Sequence, residues 1–189
     1  AIPAVVVFSL ALALLLKKLR LGSGFLVFSL LLPFVVPSGS TALFWNTIFN
    51  LNGYINRLRF QTGLELVMWD SSRWSILIPV FLYLWKFCGF FALVFYAGLN
   101  QIPDEYYEIA KLEGSGKAAA FFQITLTYLS PISMIVLLLA FISTFKISRE
   151  LFMLFGNYPL SNLYFFQHFL NNHFKNMNAL MHASVDDIL

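Results

Sequence analysis

Apolar residues come in long blocks separated by polar stretches, and no alternating strand pattern recurs. The first block, 1–16 (AIPAVVVFSLALALLL), is closed by Lys17, Lys18 and Arg20, where cations anchor the end of a membrane-spanning helix. A second, 25–45, follows Gly22 and Gly24 and carries Pro33, Pro37 and Gly39. Prolines inside a span predict kinks whose freed carbonyls are satisfied by neighbouring helices, so this span is expected to face protein more than lipid. A third block covers 74–99, with Asp70, Ser71 or Ser72 as candidate caps; a fourth covers 131–155; a last one begins at 178 and runs to 189. The connections are 46–74, 100–130 and 156–175. In the first of them Asn52-Gly53 signals a turn. Beyond it Ile55, Leu58, Leu64, Leu66 and Trp69, interleaved with Arg57, Arg59 and Glu65, predict a helix lying in the interface.

Composition turns this pattern into a class. Of 189 residues 59% are hydrophobic and 11% charged, with a mean hydropathy of +0.76, which excludes an ordinary soluble domain. The expectation is an all-α polytopic membrane helix bundle, because backbone in lipid must satisfy its own hydrogen bonds. The chain opens without Met inside one apolar block and stops inside another, so it is expected to be one transmembrane domain (1–189) incomplete at both ends. Nothing in it resembles a cleaved signal peptide.

Charge adds little. The net +3 is scattered and excludes a nucleic-acid partner. Lys17, Lys18, Arg20, Lys111 and Lys117 on one side oppose Arg57, Arg59, Arg73 and Lys175 on the other, a balance that leaves orientation open. Lys86 stands near the middle of the third span, where a lysine costs about 2.5–3.5 kcal/mol on insertion scales and is expected to face a cavity or a partner. Lys146, Arg149 and Glu150 sit late in the fourth span, where snorkelling or a Lys146 to Glu150 helical pair competes with a cavity role. Cys88 alone cannot form an internal disulfide or a multi-cysteine metal site and reads as a small packed residue. No HExxH, GxSxG or P-loop pattern occurs, and His168, His173 and His182 are dispersed. The sequence therefore predicts no catalytic residue, no metal site and no ATPase site of its own.

The most informative stretch is AGLNQIPDEYYEIAKLEGSGKAAAFFQITLTYLSP, 97–131. Pro103 suits a first helical position, with Asp104 and Glu105 placing acid in the first turn. Tyr106, Ile109, Ala110 and Leu112 follow, and Gly114 is a candidate C-cap glycine. Ser115 is a candidate N-cap for a second helix through Lys117, Phe121, Phe122 and Ile124, without an acid three residues on to complete a capping box. The product is a hinged helix pair at the membrane surface.

Glu108-Ile109-Ala110, Gly114 after three intervening residues, then Ile124, Leu126 and Thr127 after nine more, resemble the EAA loop of type I ABC-importer permeases. Ile109 replaces an alanine and Thr127 a proline. The surrounding IPDEYYE, KLEG and ITLTYLSP are similar to the sugar and glycerol-phosphate branch, the maltose-permease-like group. The resemblance implies a permease subunit in the cytoplasmic membrane of a prokaryote that moves a sugar or oligosaccharide by alternating access. It implies no cofactor in this chain, and ATP and Mg on partner ABC ATPase subunits docked by Glu108, Ile109, Ala110, Gly114, Ile124 and Leu126. It also implies a second, related permease subunit and an extracytoplasmic solute-binding protein. By alignment with the maltose-like permease, Tyr83, Phe87 and Phe90 before the loop and Phe145 and Lys146 after it are candidates for the substrate cavity, and Lys86 joins them as a cation near mid-span. Aromatic faces suit carbohydrate, and membrane packing explains the same residues in a chain that is 18% aromatic. Two cations there would favour an anionic ligand; pairing or snorkelling would leave a neutral one. The connection 46–74 reads either as part of an external gate or docking surface or as a plain interfacial helix. An ion-coupled secondary transporter of a small polar solute is the alternative, and it would need intramembrane acids; only Glu150, Asp186 and Asp187 come near.

Overall fold

The computed structural model describes residues 1–19, 24–69, 75–156, 163–164 and 166–186, with backbone alone at 167 and 180–186. Arg20, Gly22, Asp70, Ser71, Ser72, Arg73, Trp74 and Asp187 lie outside the described residues, as do the side chains of His182 and Asp186. All regular structure among the described residues is helical. Three stretches, Ile2–Leu19, Leu77–Leu99 and Lys117–Phe155, are long and apolar enough to cross a membrane, and a fourth if Gly24–Val35 and Ser38–Gln61 count as one broken span. Where one bundle is expected, the chain divides into two compact units, Ala1–Val36 with Phe81–Thr144 and Pro37–Val80 with Phe145–Leu189.

The first unit holds α1 (Ile2–Leu19), α2 (Gly24–Val35), most of α5 (Leu77–Leu99), α6 (Asp104–Leu112), α7 (Lys117–Ala120), a π-helical turn (Phe121–Thr125) and most of α8 (Leu126–Lys146). Helix α1 buries Val5, Ser9, Ala13 and Leu16, one face at helical spacing with two small residues, and leaves Val7, Phe8, Leu15 and Leu19 exposed. Small residues let helices approach where no hydrophobic drive separates protein from lipid. Ser9 accordingly donates from Oγ to the Cys88 carbonyl of α5 at 3.1 Å. Gly89 does the same on α5: a Cβ there would run into the backbone of Leu30 in α2. Helix α5 is the centre of this unit, with Leu82, Phe91, Ala92 and Phe95 fully buried.

The span expected over 25–45 is broken. Helix α2 ends at Val35 and α3 (Ser38–Phe49) begins after Pro37, because proline cannot donate and disfavours helical backbone in the residue before it. Pro33 and Pro131 lie inside α2 and α8 and end neither. The fourth span starts earlier than 131, since Lys117 to Thr125 are already helical, and it is interrupted where α8 gives way to α9 (Ser148–Phe155).

In the second unit α3 packs on α9, tied by Ser38 Oγ donating to Glu150 Oε1 at 2.9 Å. Glu150 is buried and lies on α3's side of α9, so its hydrogen bond to Ser38 stands where a helical pair with Lys146 was one expectation. The interfacial helix expected across Ile55 to Trp69 is shorter, α4 (Tyr54–Gln61), because Gly63 adopts φ +75° and turns the chain into an extended segment. Asn56 holds that segment through its amide, Nδ2 donating to the Val67 carbonyl at 2.8 Å and Oδ1 accepting from the Val67 N–H at 3.1 Å. Helix α10 (Phe166–Asp186) replaces the expected connection to 175 and span from 178, since no glycine or proline interrupts it.

Candidate functional site

Helix α6 starts one residue later than expected. Pro103, at φ −60° and ψ 136°, is its N-cap, and Asp104 and Glu105 occupy the first turn where their charge meets the positive end of the helix. Its other end is a complete Schellman motif: the Ser115 N–H reaches the Ala110 carbonyl at 2.9 Å, and the Gly114 N–H reaches Lys111 at 3.2 Å. Gly114 carries φ +77°, the left-handed value this motif requires. Helix α7 is then capped by Gly116, φ −70° and ψ 159°, whose carbonyl accepts from the Ala120 N–H, so the N-cap falls one residue after the expected Ser115. The expected second short helix is instead the first turns of the helix that becomes α8.

Two tyrosines fasten α6 to its unit. Tyr107 shares a hydrogen bond with Thr125 Oγ1 at 2.9 Å, and its ring lies 5.5 Å from Lys17 Nζ. Lys17 also donates to the Leu99 carbonyl at 2.8 Å, capping the end of α5 and joining α1, α5 and α6 at one point. The Tyr106 ring packs 5.2 Å from Tyr128 of α8. Ile109 and Leu112 point away, 53% and 87% exposed, and continue at i+3 and i+6 the row that begins with Tyr106, itself 43% exposed. Glu108 is exposed beside them, Ala110 is half-buried, and Ile124 and Leu126 are half-buried at the π turn and the start of α8. Ile109, where the family pattern has alanine, meets no crowding in this unit. A rigidly held amphipathic helix with its large apolar side chains outward is the geometry of helix-in-groove recognition.

The cavity candidates separate into two groups. Tyr83, Lys86, Phe87 and Phe90 come together on α5. Tyr83 donates from Oη to the Ala140 carbonyl at 2.6 Å, and Phe34 of α2 packs on Phe87 at 5.9 Å and stacks on Phe90 at 4.6 Å. Lys86 is 7% exposed and donates to the Val36 carbonyl at 3.4 Å, at the end of α2 that Pro37 leaves open. The mid-span lysine thus has a protein partner. Phe145 and Lys146 belong to the other unit, exposed at the end of α8. In the same unit His168 is buried, its ring 4.3 Å from Phe152, and burial pushes its imidazole below the usual value, against the opposing effect of a hydrogen bond to the Gly156 backbone. Tyr107 and Lys17 are site residues that the sequence reading missed as such; the sole local signal was Lys17 at the end of an apolar block.

Comparison with known proteins gives concordant results. The family described as "Binding-protein-dependent transport system inner membrane component" matches residues 1–178. A probable ABC transporter permease protein of Bacillus subtilis, YesP, is 33% identical over 144 residues, 73% of this chain and 45% of its own. The sulfoquinovosyl glycerol transport system permease protein SmoG of Agrobacterium fabrum is 32% identical over 133 residues, 69% of this chain and 43% of its own. The chain thus spans about half the length of the relatives it matches. Among solved structures, a bacterial ABC transporter that imports the acidic polysaccharide alginate superposes with a TM-score of 0.67 at 21% identity, covering 82% of this chain and 55% of that one, and shares its fold.

Proposed function

Since the chain belongs to the family of binding-protein-dependent transport system inner membrane components, we propose that it is part of the permease of an ATP-driven importer in the cytoplasmic membrane of a prokaryote. Its cargo is a sugar or oligosaccharide, moved by alternating access. The observation that carries this reading is α6: anchored through Tyr107, ended by Gly114 and apolar on its free face, it is built to enter a groove on another protein. That protein is an ABC ATPase, which holds ATP and Mg and does the hydrolysis. Closure of the ATPases moves α6, and the Tyr107 and Tyr106 contacts pass the displacement to α1, α5 and α8. A second, related permease chain completes the pathway and an extracytoplasmic solute-binding protein delivers cargo.

The sugar class is supported by the aromatic set on α5 and by the named cargo of the relatives. Engagement of Lys86 with Val36 supports a neutral glycan over an anionic one. The full-length protein purified with the products of neighbouring genes tests the proposal. ATPase co-purification, and uptake into vesicles that needs ATP and the binding protein, is the expected result. Uptake that ignores ATP and follows an ion gradient would establish a secondary transporter instead. A binding protein that captures an amino acid, peptide or metal would overturn the sugar assignment alone.

A further inference from the structure

Beside α6 the first unit has a cleft of about 720 Å³ whose rim carries Lys17, Lys18, Lys111 and Lys117 against a single lining acid, Asp104. The four lysines come from three separate places, the end of α1, the last turn of α6 and the start of α7, and only the fold brings them together. Lys17 is committed to the Leu99 carbonyl and the Tyr107 ring. Lys18, Lys111 and Lys117 have no hydrogen bond or ion pair among the described residues and are exposed. The walls below are apolar, with Leu14, Leu99 and Phe121 among them. Lys17 and Lys18 close the apolar run of α1, so the cleft opens at the level where a span meets the aqueous interface.

We infer that this cleft binds the headgroup of an anionic phospholipid, the phosphate among Lys18, Lys111 and Lys117 and the first acyl methylenes against Leu14 and Phe121. The volume suits a headgroup and the start of its chains, since small-molecule pockets run from about 300 to 1,000 Å³. Cations gathered over an apolar wall match an amphiphile in both halves, whereas a free phosphate would use only the cations. The site adjoins α6 without including its free apolar face, so a bound lipid would brace the helix against α1 and α7 and leave Ile109 and Leu112 available. It does not depend on which cargo is carried.

The full-length permease, with the subunits that co-purify with it, is placed in nanodiscs of phosphatidylcholine doped with phosphatidylglycerol, and the lipid retained after detergent extraction is counted by native mass spectrometry. Retention of phosphatidylglycerol over phosphatidylcholine is expected. Each lysine near an anionic surface contributes about fivefold at low salt, so the triple variant Lys18→Gln, Lys111→Gln, Lys117→Gln should weaken retention on the order of a hundredfold. Lys175→Gln should not change it, and arginine at the same three positions should restore it. Unchanged retention in the triple variant, or no preference between the two lipids, would overturn the inference. Displacement of the lipid by millimolar inorganic phosphate would mark a site for a free anion and overturn the lipid assignment. Size-exclusion behaviour of the triple variant separates loss of the site from loss of the fold.

Discussion

Serine placed at Gly114 and at Gly116 should have opposite effects, although the two positions are two residues apart in the same exposed turn. Neither glycine has an atom within 4 Å of where a Cβ would sit, so packing is not at stake at either. The difference is conformational. Gly114 is held at φ +77°, where an L side chain meets the following carbonyl, and Ser there should cost about 1–2 kcal/mol. Gly116 sits at φ −70° and ψ 159° as the N-cap of α7, a position serine prefers, so Gly116→Ser should be neutral or slightly stabilising. A penalty of that size lowers the population of the Schellman turn by a factor of about 5 to 30. Hydrogen exchange reads it directly, because the Gly114 and Ser115 amides are protected by the turn's two bonds. They should exchange faster by that factor in Gly114→Ser, and by less in Gly114→Asn, since asparagine tolerates the left-handed region. If an ATPase docks on α6, its retention should fall in the same order. Equal effects at the two positions, or none at Gly114, would refute the reasoning whatever the partner proves to be.

Three more outcomes follow from particular contacts. Tyr107→Phe removes the bond to Thr125 and keeps the ring beside Lys17, so the first unit should lose about 0.5–1.5 kcal/mol, read by thermal unfolding in detergent, with transport falling more than membrane insertion. Gly89→Ala puts a methyl group into the Leu30 backbone and should cost about 1–3 kcal/mol or more, seen as reduced yield of folded protein; Gly39→Ala, with nothing within 4 Å, is its control. His168 is neutral in the fold because burial lowers its pKa, and it takes up a proton more readily once unfolded. Its contribution is therefore fully present above about pH 6.5 and is lost as pH falls through the lower folded value, so protection of α10 amides should drop between pH 7.5 and 5.5 and His168→Phe should flatten that dependence.

What the sequence made legible is mostly what a few neighbouring residues decide. Asp104 and Glu105 at a helix start and Gly114 at its end are local chemistry, and the Glu108 to Gly114 spacing could be read without a fold. Proline was legible only as a class. Pro33 and Pro131 are absorbed within helices while Pro37 stands at a break as the N-cap of the next one. The Val36 carbonyl, open at the end of α2, is met by Lys86, fifty residues away in the chain, and no local pattern announces that pairing. The role of Tyr107 was hidden for the same reason: its partners, Thr125 and Lys17, come from two other helices. Gly63 ended α4 earlier than the interleaved apolar residues suggested, since Leu64 and Leu66 continue their spacing into a segment held extended by Asn56.

The π turn at Phe121–Thr125 sets a compass bearing. Relative to an ideal α-helix it accommodates one surplus residue, and one residue corresponds to roughly 100° of azimuth about the axis. Everything before it, the α7 start, the Gly114 turn and α6, is therefore dialled through about a quarter of a circle relative to α8. A chain shortened by one residue in this turn could keep every side chain of α6 and every contact along the membrane-spanning part of α8, yet present Ile109 and Leu112 to a different quarter of its surroundings.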